Sequence, residues 1–337
     1  MEYDLLCVGA GLTTAVVCAK LKHKKKILVV DTRNYVGGNC ADYQSGRSFI
    51  HRHGPHIFHH PSNDVGAHDF LCDYTDFRPF NYTAYALIDD GGLVKQVPFP
   101  YSLETEAVLG RSLSSEEIID KFFRGYTEKM WGRPWESLPE NIKNRVPKRE
   151  TVSNYFPGHK QHIPVQGYSR MIVRMLSGSD VLLGVPADFW KHQKAEQVLY
   201  CGRPDSVYHR PEFCYGENFL GWRSLRFTWA IGEWNEDCHA VNNCLTCGHT
   251  RTVWHGAWMD DKNCRIISTE TPTDGGRDES PDYPIPDEEN LAKYERVKAV
   301  VKEKRPDVVL GGRLGGYKYL NMNEAVDRAL LLAEELC

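Results

Sequence analysis

A strand, a glycine turn, a helix, a second strand and an acid follow one another within the first 31 residues, and few folds accept that order. Met1–Val8 (MEYDLLCV) is a short apolar run of buried-strand character. Gly9-Ala10-Gly11-Leu12-Thr13-Thr14-Ala15 follows at once, then a helix-patterned stretch, Val16–Lys22, and a second strand, Ile27–Val30, ending on Asp31. Such a βαβ unit grips a dinucleotide. Gly9 permits the tight turn, and Gly11 lets the backbone approach a pyrophosphate. The N-terminus of the following helix offers that pyrophosphate free N–H groups and a partial positive charge. Asp31 lies where a carboxylate can take ribose hydroxyls. Thr14 occupies the third glycine position, so helix and sheet approach less closely there.

A second turn follows directly: Thr32, then Arg33-Asn34-Tyr35-Val36-Gly37-Gly38-Asn39. An arginine and a glycine pair just past the acid resemble flavin adenine dinucleotide (FAD) proteins more than nicotinamide dehydrogenases. The 337 residues are too many for one simple core and predict two or three subdomains. The formal net charge of −4 and the lack of a long basic run disfavour nucleic acid as a partner. No apolar run is long enough to span a membrane. The first apolar run is strand-short and leads into the glycine loop, so no signal peptide is expected. A cytoplasmic setting follows, in which the eleven cysteines are reduced thiols.

The fold class expected is α/β: a Rossmann-like FAD-binding domain with a small helical domain and an antiparallel β-sheet domain. Residues 1–62 and 290–337, with part of 177–210, form the discontinuous FAD-binding domain, because strand, glycine turn and helix return at 308–336. Residues 63–150 form a small, mainly helical substrate domain with a hairpin at 82–97. Residues 151–176 and 211–289 form the antiparallel sheet domain. Helices are expected over Asn63–Tyr74, capped by Ser62 or Asn63, over Leu113–Arg124 with a Ser114/Ser115 cap, and over Tyr168–Leu176.

Three further blocks carry chemistry. His51, His53, His56, His59 and His60 crowd ten residues and invite a metal reading. No Cys or carboxylate cluster completes a ligand set nearby, so a loop packed beside the cofactor is preferred and no metal is expected. Cys244, Cys247 and His249 lack a second pair at finger spacing and read as structural thiols. Gly125–Arg133 (GYTEKMWGR), with Asn144–Pro147 and Asn154–Phe156, mixes Tyr and Trp with Arg, which suits a stacked base or sugar and a diphosphate. Gly311–Met322 (GGRLGGYKYLNM) is a glycine turn running into a capped helix.

In these blocks the chain resembles the bacterial-type UDP-galactopyranose mutase family, with a shortened helical domain. The resemblance rests on RNYVGGN (33–39), IHRHGPHIFHH (50–60), GYTEKMWGR, IPVQGY (163–168), RSLRF (223–227), Thr250-Arg251, Tyr283-Pro284 and GGRLGGYKYLNM. It implies an isomerase of cell-wall or glycan biosynthesis that interconverts pyranose and furanose forms of an NDP-sugar, UDP-galactose by default. FAD is then active when reduced, through an N5–sugar adduct and with no net redox change. The resemblance implies catalytic roles for Arg145, Arg251, His56 and His59, the arginines holding the diphosphate. It implies substrate contacts from Phe122, Phe123, Tyr126, Thr127, Trp131, Tyr155, Tyr283 and Tyr319. Cofactor contacts are implied for Gly9, Gly11, Leu12, Thr13, Asp31, Thr32, Arg33, Gly38, Asn39, His56, Arg313 and Met322. A homodimer is compatible with it, and no membrane or nucleic-acid partner is implied.

Departures from the family pattern cluster on the substrate side. Besides Thr14, Tyr82 stands near where an Asn is usual, Trp254 and Gly316 replace Glu, Leu320 replaces Tyr, and Asn321 replaces Asp. The stretch from Pro100 to Leu113 is shortened. The alternatives are therefore a mutase acting on a different nucleotide sugar, or a flavin amine-oxidase-like oxidoreductase. Paired arginines count against the oxidase, which has no diphosphate to hold.

Overall fold

The computed structural model describes residues 2–144, 155–207, 219–235, 238–275 and 280–337. Five parallel strands form the first sheet, in the spatial order Asp180–Leu183, Ile27–Asp31, Tyr3–Val8, Ala195–Tyr200 and Val308–Leu310. Side chains of the three inner strands alternate between two buried faces, as a parallel sheet requires. Leu5, Cys7, Ile27, Val29 and Leu199 pack under the helices Leu12–Leu21, Tyr168–Leu176 and Met322–Glu335. Leu6, Leu28, Val30, Val198 and Tyr200 meet Trp190 and, from the helix Glu288–Lys304, Val297 and Val301. Val8, Asp31, Leu183, Tyr200 and Leu310 end the strands in one row, so the loops that bind ligands in such sheets emerge on one side.

A seven-stranded sheet forms the other half, ordered Tyr283–Pro284, Trp222–Ile231, Ile266–Asp274, Arg251–Trp254, Ala240–Asn243, Ala84–Asp89 and Val94–Phe99. Its pairs are antiparallel except that Ala240–Asn243 runs parallel to Ala84–Asp89. The hairpin assigned from sequence to the helical unit is thus the edge of this sheet. Ala84, Ala86, Ile88, Val97 and Phe99 form a buried face that Phe122 and Phe123 cover, while Ala240–Asn243 satisfies the hairpin's backbone. Tyr168–Leu176, expected with the sheet unit, packs instead in the core of the parallel half, where Met171, Ile172 and Met175 meet the first helix. A three-stranded antiparallel sheet, Phe58–Pro61, His159–Pro164 and Phe77–Pro79, joins the halves.

Two helix boundaries differ from expectation. The helix sought at 63–74 spans only Gly66–Cys72 and starts after Val65 without a side-chain cap. Ser114 does cap the next expected helix, in a box with Glu117. That helix passes from Ser115–Ile118 through a π-turn at Ile119–Arg124 into Gly125–Trp131. The extra residue of a π-turn rotates the following residues, and such turns gather at functional sites. Arg223 ends this helix by donating from Nε to Met130 O (2.9 Å) and from Nη2 to Lys129 O (2.9 Å), which places a cation on the helix's negative end.

Candidate active site

A cavity of about 720 Å³ opens along the carboxyl ends of the parallel strands. Gly9, Gly11, Leu12, Thr13, Asp31, Thr32, Arg33, Gly38, Asn39, His56, Arg313 and Met322 all line it, so every cofactor residue expected from sequence faces one space. The cradle is made mainly of backbone. Gly11 caps the helix Leu12–Leu21 without a side-chain acceptor, and no acid stands in the first turn, so its N–H groups stay open to an anion. Gly38, at φ +57°, touches this turn: a Cβ there would lie 3.1 Å from Gly11 Cα. Asp31 accepts from Ala10 N (2.7 Å) and Arg33 N (2.8 Å), which fixes its carboxylate at the cavity wall. Thr14 is fully buried and its hydroxyl lies 3.6 Å from Cys201 Sγ, so a polar contact fills the space a third glycine would leave.

This donor set fits FAD. A dinucleotide-sized space, an uncapped helix N-terminus, a fixed acid and the Arg33 and Arg313 guanidinium groups together match an anionic, extended cofactor. Arg33 bonds Asn39 Oδ1 (3.0 Å) and Ser280 Oγ (2.5 Å). Arg313 bonds Leu320 O (2.7 Å) and lies over the rings of Tyr283 (5.7 Å) and Tyr319 (4.8 Å), which stack on each other at 5.5 Å. Between them Asp282, missed in the sequence, accepts from Leu225 N (2.7 Å) and Asn39 Nδ2 (3.2 Å). Burial pushes its carboxyl up to about 7, against the Leu225 hydrogen bond and the two arginines.

His56 joins the cradle to the second half. Its Nδ1 lies 2.8 Å from Gly54 O; a carbonyl only accepts, so Nδ1 carries the proton and Nε2 is left as an acceptor. Burial foremost, then the charges of Arg313 and Arg251, hold it near a pKa of about 4, so it is neutral at pH 7. The His56 amide donates to His51 Nδ1 (3.0 Å), and the His51 ring stacks on Trp258 at 4.7 Å. His59 is not among the residues lining the cavity. It stacks on Phe156 at 4.0 Å and meets His159 Nδ1 at 3.0 Å.

Arg251 leads the second half. Its Nε and Nη2 hold the fully buried Glu270 carboxylate at 3.0–3.2 Å, from directly paired positions on neighbouring strands. Nη1 has no protein partner among the described residues and is free for an anion. Tyr82, Tyr126 and Tyr155 are its electrostatic neighbours. Glu270 was missed in the sequence because it sits in an ordinary strand run, IISTETPTD; its only signal is a carboxylate at an inward strand position. A side chain at Gly54 would come within 3.0 Å of Glu270 Oε1, so the histidine loop rests directly on this ion pair. The buried Tyr82 Oη has no hydrogen-bond partner among the described residues, although Tyr155 packs on its ring at 4.9 Å. Sequence reading flagged Tyr82 only as a departure.

The other substrate candidates divide. Phe122 and Phe123 lie in the aromatic core with Phe99 (6.0 Å each) and expose no face. Thr127 and Trp131 are buried too, with Trp131 at 6.2 Å from Tyr283. Tyr126 is half-buried at the edge of the same core. Lys129 Nζ donates to Asn243 O, Cys247 O and His249 O, so a cation already occupies the turn that imitates a zinc ligand set. Arg145 falls outside the described residues.

A family model for UDP-galactopyranose mutase matches residues 121–319, and one for an NAD(P)-binding Rossmann-like domain matches residues 7–74. The chain is 28% identical to a UDP-galactopyranose mutase of Mycoplasma genitalium, covering 99% of this chain and 95% of that one. It is 24% identical to a dTDP-fucopyranose mutase of Escherichia coli, covering 98% and 97%. A crystal structure of reduced UDP-galactopyranose mutase superposes with a TM-score of 0.74 at 11% identity, covering 100% of this chain and 94% of that one.

Proposed function

The chain belongs to the UDP-galactopyranose mutase family, and we propose that it interconverts the pyranose and furanose forms of an NDP-sugar, UDP-galactose in the first instance. It is an isomerase and uses FAD. The observation that carries the reading is the Arg251–Glu270 ion pair, with no partner for Nη1 among the described residues, set among tyrosines and within electrostatic reach of His56, which lines the cofactor cavity.

The ion pair fixes the Arg251 guanidinium before substrate arrives, so its remaining N–H groups meet the diphosphate without reorganisation. Negative charge grows on that diphosphate as its bond to the sugar breaks, and a preset cation lowers the cost of that step. When bound and reduced, the flavin supplies the nucleophile for the anomeric carbon. Tyr155, Tyr283 and Tyr319 donate hydroxyl hydrogen bonds to phosphate oxygens, and Arg145 serves as the second cation. Tyr126 stacks on the base. Phe122, Phe123, Thr127 and Trp131 act from the core behind it by fixing its helix. Neutral His56 offers Nε2 as an acceptor for a sugar hydroxyl, and its low pKa prevents a third positive charge there. His59 keeps the Phe156 and Tyr155 segment in place.

The altered base and sugar surroundings favour testing a second substrate. Tyr82 brings a hydroxyl to the Arg251 cluster, and the relative that acts on dTDP-fucopyranose shows how far this architecture extends. The test is a screen of UDP- and dTDP-sugars with dithionite-reduced enzyme, reading furanose products by chromatography. Conversion of UDP-galactopyranose supports the default; conversion of a dTDP-sugar alone moves the substrate; no furanose from any of them overturns the reading. No described helix is long and apolar enough to cross a membrane, and a cytoplasmic location and a homodimer belong to the same proposal.

A further inference from the structure

Three imidazoles from distant parts of the chain meet outside the cofactor cavity. His60 lies on the strand Phe58–Pro61, His68 on the helix Gly66–Cys72 and His162 on the strand His159–Pro164. Phe58 pairs directly with His162, which puts His60 diagonally across on the same face. Ring centroids lie 5.1 Å apart for His60 and His68, 5.4 Å for His60 and His162, and 4.4 Å for His68 and His162. One nitrogen from each lies within 4.8 Å of the others. Phe58 and Phe77 pack against His68 and His162 and form an apolar wall.

The hydrogen bonds aim these rings inward. His60 is 2% exposed, and its Nδ1 lies 2.7 Å from Asp64 O and 2.9 Å from Pro61 O. Carbonyls only accept, so Nδ1 holds the proton and Nε2 keeps its lone pair. That Nε2 is buried and has no partner among the described residues. A histidine anchored through one nitrogen to a carbonyl, with the other left bare, is the arrangement found around metal-bound imidazole. Both nitrogens of His162 are likewise buried and without a partner among the described residues. Asp69 Oδ1 stands 3.5 Å from His68 Nδ1 and adds negative charge at the third ring.

We propose that His60, His68 and His162 form a binding site for one divalent transition-metal ion, zinc in the first instance, clipping the three-stranded sheet to the helix Gly66–Cys72. Imidazole nitrogens suit zinc, whereas magnesium and calcium need oxygen ligands. Zinc–nitrogen bonds of about 2.0–2.1 Å require the rings to close slightly from their present spacing. His68, whose side chain is 20% exposed, has room to make that movement. Cys72 Sγ, 3.7 Å from both ring nitrogens of His68, stands beside the cluster as a fourth ligand, with water as its alternative. The histidine-rich sequence run contributes only His60; the partners lie 8 and 102 positions further along the chain, which is why no ligand set was legible there.

The test uses full-length, FAD-loaded protein, stripped with chelator, titrated with zinc chloride by calorimetry and then assayed for retained metal. One zinc per chain is expected. His162→Gln and His68→Gln should each weaken binding at least roughly 10- to 100-fold. Exposed His23→Gln should leave binding unchanged. Flavin absorbance per chain reports folding, and if His162→Gln fails to fold, the partly exposed His68 variant decides alone. No saturable zinc at one per chain, equal binding by wild type and His68→Gln, or equal saturation by magnesium would overturn the proposal.

Discussion

The cofactor half and the substrate half hold anions by different means. In the cradle, the open N–H groups after Gly11 and the contact between Gly11 and Gly38 are backbone features, and side chains such as Asp31, Arg33 and Arg313 stand at the walls. Beyond His56 the work passes to side chains: one ion pair, a ring of tyrosines and an aromatic core behind them. A backbone site tolerates side-chain change but not a Cβ in the wrong place. A side-chain site tolerates backbone drift but loses its chemistry with one substitution.

The largest expected effect separates these two behaviours. Arg251→Ala should lower kcat/KM roughly 100- to 1,000-fold while flavin absorbance per chain is retained. It also leaves Glu270 buried without its cation, so stability in urea should fall by about 3–5 kcal/mol. Adding Glu270→Gln should recover part of that stability and none of the turnover. Turnover near wild type in Arg251→Ala would remove the diphosphate role.

Gly38→Val should do the reverse. Its positive φ costs a branched side chain about 1–2 kcal/mol, and the new Cβ presses on Gly11. Purified protein should lose most of its flavin, measured by absorbance per chain, while far-UV circular dichroism stays near wild type. Full flavin content would show that the Gly11–Gly38 contact does not shape the cradle.

Two kinds of buried group set the pH dependence of stability. Burial holds His53 and His255 near about 3, and His56, His59 and His239 near about 4. An unfolded histidine titrates near 6.5, so between about 4 and 6.5 the unfolded chain binds more protons and stability is lost as pH falls through that window. Asp282 in the cradle acts in the opposite direction. Its folded value of about 7 lies above its ordinary 3.8, so its contribution is full below 3.8 and is lost as pH rises through about 7. In urea unfolding from pH 4 to 8 its falling slope spans about 3.8 to 7 and opposes the histidine rise, so Asp282→Asn should steepen the rise between pH 4 and 6.5 and remove the decline just below pH 7. An unchanged pH profile in that variant would contradict the assignment.

Tyr82→Phe should give the smallest effect. Its hydroxyl is already without a partner among the described residues, so stability should hold or rise slightly, while KM rises roughly fivefold through a lost hydrogen bond of about 1 kcal/mol. A loss of stability instead would mean that the hydroxyl supports the protein and not the ligand.

The same division explains what could be read from sequence. Nine of the cradle residues, from Gly9 to Asn39, are local: glycines, an acid and an arginine at fixed spacing encode a turn before any tertiary contact forms; His56, Arg313 and Met322 were expected from the family resemblance, and all twelve line the cavity. Glu270, Asp282 and the cluster of His60, His68 and His162 depend on which strands become neighbours, and no short-range pattern announces that. Strand register sets Arg251 opposite Glu270, and the parallel pairing of Ala240–Asn243 with the hairpin draws Ala84–Phe99 into the large sheet. Phe122 and Phe123, for which the family resemblance implies substrate contacts, cover the hairpin's apolar face and are buried there, a packing no local pattern announces.

The proposed reaction is an isomerisation that uses reduced flavin without consuming it. The direct measurement follows UDP-galactofuranose conversion under anaerobic conditions, with the flavin spectrum recorded throughout. Many turnovers are expected from the dithionite-reduced enzyme, with the flavin still reduced at the end, and none from the oxidised enzyme. Flavin oxidation in step with product, or equal turnover by the oxidised enzyme, would contradict it.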